Sequence, residues 1–149
     1  MMKQEQGMSL VELLITTAVT GIIVGVLGTA IYQTITVSEF GNDKITAMHE
    51  LQNTVHWVGM DVQKALTATG GSELVLTLPD SSSITYSLAV TELHRTAGGS
   101  QMTLARNISS ISFSIENRIV TMEIASTPTG RQGVVEQGTY RVYLRPAEG

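Results

Sequence analysis

The strongest constraint on the fold is an apolar stretch that begins close to the N-terminus. Residues 13–38 contain no Asp, Glu, Lys or Arg, and they are bounded by Glu12 and Glu39. About 20 apolar residues are enough for a helix to cross the hydrocarbon core of a bilayer. The sequence therefore predicts a membrane-spanning helix with a carboxylate at its N-terminal entrance.

Glu12 is the unusual residue of this stretch. A charged side chain near the centre of a membrane helix costs about 2.5–3.5 kcal/mol on insertion scales, and less near the interface. A simple anchor does not require such a residue. The sequence therefore predicts that Glu12 belongs to a functional site and has a partner there.

Glu12 is part of a short motif at the junction between a polar leader and the apolar stretch. The leader ends at Gly7, the hydrophobic Met8 follows, and Glu12 comes four residues later, ahead of Leu13 and Leu14. This motif resembles the class III signal of type IV pilins and type II secretion pseudopilins, although Met8 stands where that family most often has Phe. The resemblance implies that a prepilin peptidase cleaves between Gly7 and Met8 and methylates the new amino terminus. It also implies that Glu12 pairs with the terminal amine of a neighbouring subunit during assembly.

Two other interpretations of the N-terminal stretch stay open. One is an ordinary secretory signal, with residues 28–30 as the small-residue cleavage site. The other is a plain single-pass anchor, in which Glu12 reaches the polar headgroups. An ordinary signal has a basic n-region, whereas here Glu5 offsets Lys3. The leader therefore favours the pilin-like signal over the ordinary one.

The helix is predicted to continue past the apolar stretch as an amphipathic segment, residues 39–67. Apolar residues recur there at intervals of three and four, which gives one apolar stripe. The members of the stripe are Ile45, Met48, Leu51, Val55, Val58, Val62 and Ala65. The charged residues, including Asp61 and Lys64, are predicted to lie mainly off the stripe. Residues 41–43 form a candidate break, and Gly70 with Gly71 is predicted to end the helix.

The rest of the chain is predicted to form strands. Apolar and polar residues alternate there in short segments that turn signals separate. The predicted strands cover residues 74–78, 84–88, 92–95, 111–115, 119–125 and 140–144. A long helix followed by an antiparallel sheet is an α+β fold, and it is the pilin-like architecture that the leader independently implies.

The predicted organisation has four parts. They are a prepilin leader (residues 1–7), the transmembrane and assembly half of the N-terminal helix (8–38), its amphipathic half (39–67) and an antiparallel β domain (68–149). Lys3 and the N-terminus favour a leader on the cytoplasmic side. We therefore expect a single-pass protein of the inner membrane whose C-terminal domain is extracytoplasmic.

No constellation of residues predicts an active site or a metal centre. His49 and His56 lie seven positions apart, whereas a zinc-binding helix places its histidines four apart, and His94 has no recognisable nucleophile partner. The chain has no Cys, so it forms neither a disulfide nor a thiolate site. Asn107 begins a glycosylation pattern that is short enough to arise by chance. The sequence therefore predicts a protein that is not an enzyme and uses no cofactor.

The C-terminal end has a mild basic and aromatic character. It comes from Arg131, Arg141 and Arg145 together with Tyr140 and Tyr143. Such residues can contact nucleic acid, as in a DNA-uptake pilus, and they can also keep an edge strand from pairing with other sheets. No cluster of several Lys or Arg appears in the sequence, which favours the edge-strand interpretation, and with a formal net charge of −4 nucleic acid is not an expected partner.

A narrower resemblance extends over the later chain. Residues 58–65 resemble the end of the long helix in minor pseudopilins of the J type and in related minor pilins. The pattern of strands and linkers that follows in that group is matched by residues 85–86, 93–95 and 104–113. This resemblance implies a minor subunit that assembles through its N-terminal helix into a type II secretion pseudopilus or a type IV pilus-like filament. The implied partners are other pilin-like subunits, the prepilin peptidase and the inner-membrane assembly platform.

Two functions from other classes stay open. One is a membrane-anchored binding module, either an adhesin or a DNA receptor, on a competence or type IV pilus. The other is a secreted hydrolase behind an ordinary signal. The mature N-terminus separates this hydrolase from a pilin-like subunit, because it would lie near Ile31 in the hydrolase and at Met8 in the subunit.

Overall fold

The computed structural model describes residues 9–129 and 133–146. These residues form one long helix followed by eight strands. The elements in chain order are α1 (Leu10–Lys64), β1 (Thr67–Thr69), β2 (Leu74–Thr77), β3 (Ser83–Ala89), β4 (Glu92–Ala97), β5 (Ser100–Ala105), β6 (Ile108–Glu116), β7 (Ile119–Ser126) and β8 (Glu136–Tyr143). The chain divides into two compact units, a first unit of residues 1–38 and a second unit of residues 39–149.

The first unit contributes the apolar part of α1. Its large apolar side chains are exposed, for example Leu10 at 79% and Val37 at 70%. Threonine hydroxyls along it donate to carbonyl oxygens about one turn earlier, as Thr16 does to Glu12 at 2.7 Å. Such bonds satisfy the polar groups within the helix, which a bilayer requires. Among the described residues, α1 is the one helix that is long and apolar enough to cross a membrane.

The structure corrects two expectations about the helix. α1 does not break at residues 41–43, where a glycine weakens a helix by only about 1 kcal/mol. It also ends at Lys64, a few residues before the end predicted for the segment 39–67. The helix ends early because Leu66 N donates to Thr77 O at 2.8 Å, and this bond begins the pairing of β1 with β2.

The second unit holds two antiparallel sheets. The five-stranded sheet has the order β1-β2-β3-β4-β5, and the three-stranded sheet has the order β6-β7-β8. Strands adjacent in the chain are therefore neighbours in each sheet. A bridge between Gly71 and Phe113 links the two sheets. The α+β pilin-like architecture is confirmed, since a long apolar N-terminal helix is followed by antiparallel sheets, and the single predicted sheet proves to be two.

Two strands carry no alternating pattern that would have predicted them. β1 has three residues, and its middle residue alone is partly buried. β5 is an outer strand whose first four residues are exposed, so its sequence shows little contrast between the two faces. Apolar and polar residues alternate in a strand that has one buried face, and these two strands largely lack a buried face.

The buried face of α1 contains polar residues as well as apolar ones. Its buried members recur at short intervals and are Ala47, Leu51, Thr54, Val58, Asp61 and Val62. Of the predicted stripe, Val55 is partly buried, whereas Ile45 and Met48 are 56% and 44% exposed. The expectation that Asp61 lies off the buried face was wrong, because the residues facing the sheets follow the line from Ala47 through Thr54.

The core joins this helix face to both sheets. Val58 and Val62 lie in one hydrophobic cluster with Leu76 and Tyr86 of the five-stranded sheet and Val120 of the three-stranded sheet. Aromatic residues make up only 5% of the chain. The core is therefore built mainly from Val, Leu and Ile, and Tyr86 is its largest fully buried side chain.

Candidate functional site

Three residues are predicted to carry processing and assembly: Gly7, Met8 and Glu12. Gly7 and Met8 lie outside the described residues, so cleavage and methylation there stay predictions. Glu12 lies in the first turn of α1 and is exposed. Residues 9–38 contain no Lys, Arg or His, so this part of the chain supplies no cationic side chain for Glu12.

Glu12 also has a position that matters to the helix itself. α1 begins at Leu10, so Ser9 stands at the cap position, and Glu12 follows it three residues later. This is the spacing of a capping box, in which the carboxylate can accept a hydrogen bond from the Ser backbone N–H. A carboxylate in the first turn is also stabilised by the helix dipole, by about 0.3–1 kcal/mol. A test of assembly must separate this local role from pairing with another subunit.

The second unit contains a buried ion pair that the sequence analysis missed. Asp61, on the buried face of α1, is 2% exposed. Its Oδ2 atom accepts a hydrogen bond from the Tyr86 hydroxyl at 2.5 Å and another from Arg95 Nε at 2.6 Å. The helix is thus joined to β3 and β4 by two bonds that converge on one carboxylate oxygen.

The surroundings of this pair keep Arg95 charged and Tyr86 protonated. The Arg95 guanidinium carbon lies 5.2 Å from the centre of the Trp57 ring, a distance at which a cation is attracted to the ring face. The hydrogen bond to Asp61 raises the pKa of Arg95, against the effect of burial. Burial, together with the hydrogen bond to Asp61, raises the pKa of Tyr86 far above its ordinary value, so this hydroxyl stays a donor.

Two further polar contacts join α1 to the segment from β5 to β6. Asn53 Nδ2 donates to Leu104 O at 2.5 Å, and Glu50 Oε2 accepts a hydrogen bond from Arg106 N at 2.9 Å. Together with the Asp61 cluster, these bonds fix the helix along its axis against the strands. The sequence carries a weak signal that Asp61 is buried. Ala47, Thr54 and Asp61 follow one another at intervals of seven residues, so they lie on the same face of α1.

The histidines do not come together. His49 and His56 are exposed on α1. His94 on β4 is within 3.2 Å of Thr103 Oγ1 through Nδ1, and its Nε2 lies 3.8 Å from a carboxylate oxygen of Glu92. Within residues 9–129 and 133–146, no group of three His, Cys, Asp or Glu side chains could hold a metal ion.

The basic C-terminal residues occupy a sheet edge. β8 is an outer strand of its sheet, with Arg141 and Tyr143 exposed, whereas Tyr140 packs against the core. Arg145 follows the strand and is exposed. Arg131 lies outside the described residues. Arg141 therefore has the position that the edge-strand interpretation requires.

The comparisons with known proteins bear on the N-terminus. The prokaryotic N-terminal methylation motif matches residues 2–28. This match supports the type IV pilin-like family, and it implies processing by a prepilin peptidase and assembly with other pilins. It does not confirm the narrower resemblance to minor pseudopilins of the J type. Neither a curated protein nor a solved structure matches the chain significantly.

Proposed function

We propose that this chain is a pilin-like subunit that is cleaved between Gly7 and Met8 and then assembles through its N-terminal helix into a pseudopilus or a type IV pilus-like filament. The observation that carries the proposal is the methylation motif over residues 2–28, which overlaps an exposed apolar helix with Glu12 in its first turn. The role is structural and needs no catalytic residue.

Burial and charge explain how such a helix would assemble. In the bilayer its apolar side chains contact lipid, and in a filament they contact other helices, so the change of surroundings is nearly neutral for them. A carboxylate and an ammonium group attract each other strongly in a low-dielectric setting, and each is costly there alone. Pairing of Glu12 with the methylated amine of a neighbour would therefore favour the filament and fix the axial position of the subunit.

Glycines on the same helix support close packing of subunits. Gly21, Gly25 and Gly28 are spaced by four and three residues, and a Cβ atom built at any of them meets nothing within 4 Å. Small residues at such spacings let membrane helices approach closely. Another helix could therefore pack along this line without steric hindrance from the chain itself.

The finer proposals rest on the sequence resemblance. It supports a minor pseudopilin of a type II secretion system, with the leader in the cytoplasm, residues 8–38 as the transmembrane and assembly segment, and the β domain outside the inner membrane. The assembly platform of the inner membrane would be a further partner. The methylation motif and the membrane-competent helix are consistent with this anchoring.

The mature N-terminus tests the proposed function directly. Mass spectrometry of the protein extracted from membranes should show a chain that begins at Met8 and carries one methyl group. A Gly7→Val variant should keep its leader, because the peptidase acts after the glycine. An intact Met1 in the parent protein would favour a plain anchor, and a start near Ile31 would favour an ordinary secretory signal. Either result would overturn the proposal.

A further inference from the structure

The two ends of the second unit differ in charge. We call the end at which α1 enters the unit, at Glu39, the near end, and the end at which α1 stops, at Lys64, the far end. The far end is basic, since it carries Lys64, Arg118, Arg141 and Arg145 against Asp80 and Glu116, and the near end is acidic. The formal net charge of −4 conceals this division, because it sums both ends.

Contacts at the far end bring three parts of the chain together. Arg118, in the turn between β6 and β7, donates through Nη2 to the carbonyl oxygens of Leu66, at 3.4 Å, and of Arg145. Leu144 N donates in return to Arg118 O at 2.9 Å. The end of the helix, this turn and the segment after β8 therefore meet in one place.

A basic groove lies in this place. Two hollows of about 570 and 400 Å³ adjoin each other and share Gln63 and Arg145. Lys64 lines the first hollow, and Arg141 and Tyr143 line the second. We call these two hollows the far-end groove. Its walls carry three cationic side chains and an exposed aromatic ring.

Asp80 is the one carboxylate among the described residues that line the far-end groove. Its Oδ1 atom accepts hydrogen bonds from the Ser82 hydroxyl at 2.6 Å and from Ser82 N at 3.0 Å. These bonds, the hydroxyl first, hold the pKa of Asp80 below its ordinary value. Asp80 therefore stays charged and offsets one of the three groove cations, and the groove keeps an excess of positive charge.

The near end has an excess of carboxylates. They lie on α1 and at the starts of β4 and β8, and they are Glu39, Asp43, Glu50, Glu92 and Glu136. The cations beside them already face carboxylates, since Lys44 Nζ lies 3.6 Å from Glu136 Oε1 and Arg106 Nε lies 3.4 Å from Glu92 Oε1. Five carboxylates against these two cations leave this end with an excess of negative charge.

We propose that the far-end groove binds the acidic near end of a second copy of this chain. This proposal rests on the proposed assembly function, and it requires a filament that contains several copies of this chain. In a filament whose subunits all point the same way, the far end of one subunit faces the near end of another. A contact between two different surfaces of the same chain repeats from copy to copy, and it generates an open filament when the rotation does not close into a ring.

The division of charge also specifies the direction in which two copies associate. Head to tail, the groove cations face carboxylates, whereas two far ends or two near ends would place like charges together. Like charges across an interface suppress the wrong arrangement. The contact therefore specifies the relative orientation of two copies, which association through the apolar helix alone does not specify.

A crosslinking experiment on filaments assembled from the full-length protein tests this contact, because two copies anchored in one bilayer hold their near ends at the same height. One tagged copy carries Tyr143→Cys beside the far-end groove, and a second copy with a different tag carries Asn42→Cys at the near end. The chain has no cysteine of its own, so a crosslinked product that carries both tags reports this pair of positions alone. The expected result is a crosslinked heterodimer that becomes weaker as the salt concentration rises.

Charge reversal makes the test specific. Lys64→Glu with Arg141→Glu in the first copy should lower the crosslinked fraction about tenfold, because like charges then face each other. Glu39→Lys with Glu92→Lys in the second copy should lower it similarly. Combining both reversed copies should restore the crosslink. A matched control reverses Glu73 and Glu123, which are exposed away from both ends, and should leave the crosslinked fraction unchanged.

Three results would overturn the proposal. They are a parental crosslink that no reversal weakens, a loss that the combined reversal does not restore, and the absence of any crosslink in the parental pair. A labelled DNA duplex tests the alternative occupant. If the duplex binds, if only the groove reversal abolishes this binding, and if adding the reversed second copy does not restore the crosslink, the groove binds nucleic acid instead. The mature terminus at Met8 is read in the same samples, so a normal terminus with any of these results refutes the groove contact and leaves the proposed function standing.

Discussion

Arg95→Met is expected to lower the free energy of unfolding of the second unit by about 3–5 kcal/mol, because it leaves the Asp61 carboxylate buried without its cation. Asp61 is 2% exposed, and Arg95 Nε lies 2.6 Å from its Oδ2 atom. Such a loss is comparable to the whole stability of a small domain. Trp57 is the single tryptophan of the chain, and it lies against Arg95. Denaturant titration of the full-length protein in detergent, followed by Trp57 fluorescence, measures the change.

Two control variants isolate the buried charge. Arg106→Met makes the same replacement in an ion pair whose arginine side chain is 73% exposed, and it should cost less than about 1 kcal/mol. Combining Arg95→Met with Asp61→Asn should recover much of the loss, because no unpaired charge then remains buried. Additive losses in the double variant, or a cost for Arg95→Met no larger than for Arg106→Met, would show that the pair does not hold the helix to the sheet.

The fold class could be predicted because its main signals are local. An uncharged stretch over residues 13–38 constrains the first unit, whatever the rest of the chain does. Alternation in segments such as 111–115 and 119–125 reports one buried face, and the structure places these segments in β6 and β7. Each signal needs only a few consecutive residues, so no knowledge of long-range pairing is required.

The buried ion pair could not be predicted because its members are far apart in the sequence. Tyr86 lies 25 residues from Asp61, and Arg95 lies 34 residues from it. An apolar pattern assigns an aspartate on a helix to the exposed face, which is correct for most carboxylates. Only the pairing of β3 with β4, which puts Tyr86 opposite Arg95, assembles a site that can hold the Asp61 charge.

The far-end groove escaped the sequence analysis for a related reason. The sequence indicates no positive patch, because the groove cations Lys64, Arg141 and Arg145 and the neighbouring Arg118 never form a run of basic residues. The sheets bring the turn after β6 and the end of β8 to the end of α1, and the charges converge there. A basic surface can thus be present in a chain whose net charge is negative.

Glu12→Leu is expected to abolish assembly while it leaves membrane insertion and cleavage after Gly7 intact. A leucine makes the helix easier to insert and removes the carboxylate that would pair with the amine of a neighbouring subunit. A net contribution of only about 1.4 kcal/mol from this pair corresponds to a tenfold change in an equilibrium. Co-purification of the variant with other pilin-like subunits should therefore fall at least about tenfold, with the mature terminus still at Met8 by mass spectrometry.

Glu12→Gln separates pairing from helix capping. A glutamine at the third helical position can still bond the backbone N–H of Ser9, as in a capping box, but it carries no charge. If Glu12 acts by pairing, the Gln variant should fail to co-purify as the Leu variant does, and Glu12→Asp should retain part of the parental level because the charge remains. If the Gln variant instead co-purifies at the parental level, Glu12 serves the start of the helix and assembly depends on other contacts. If all three variants co-purify at the parental level, Glu12 is only an interfacial carboxylate on a membrane anchor.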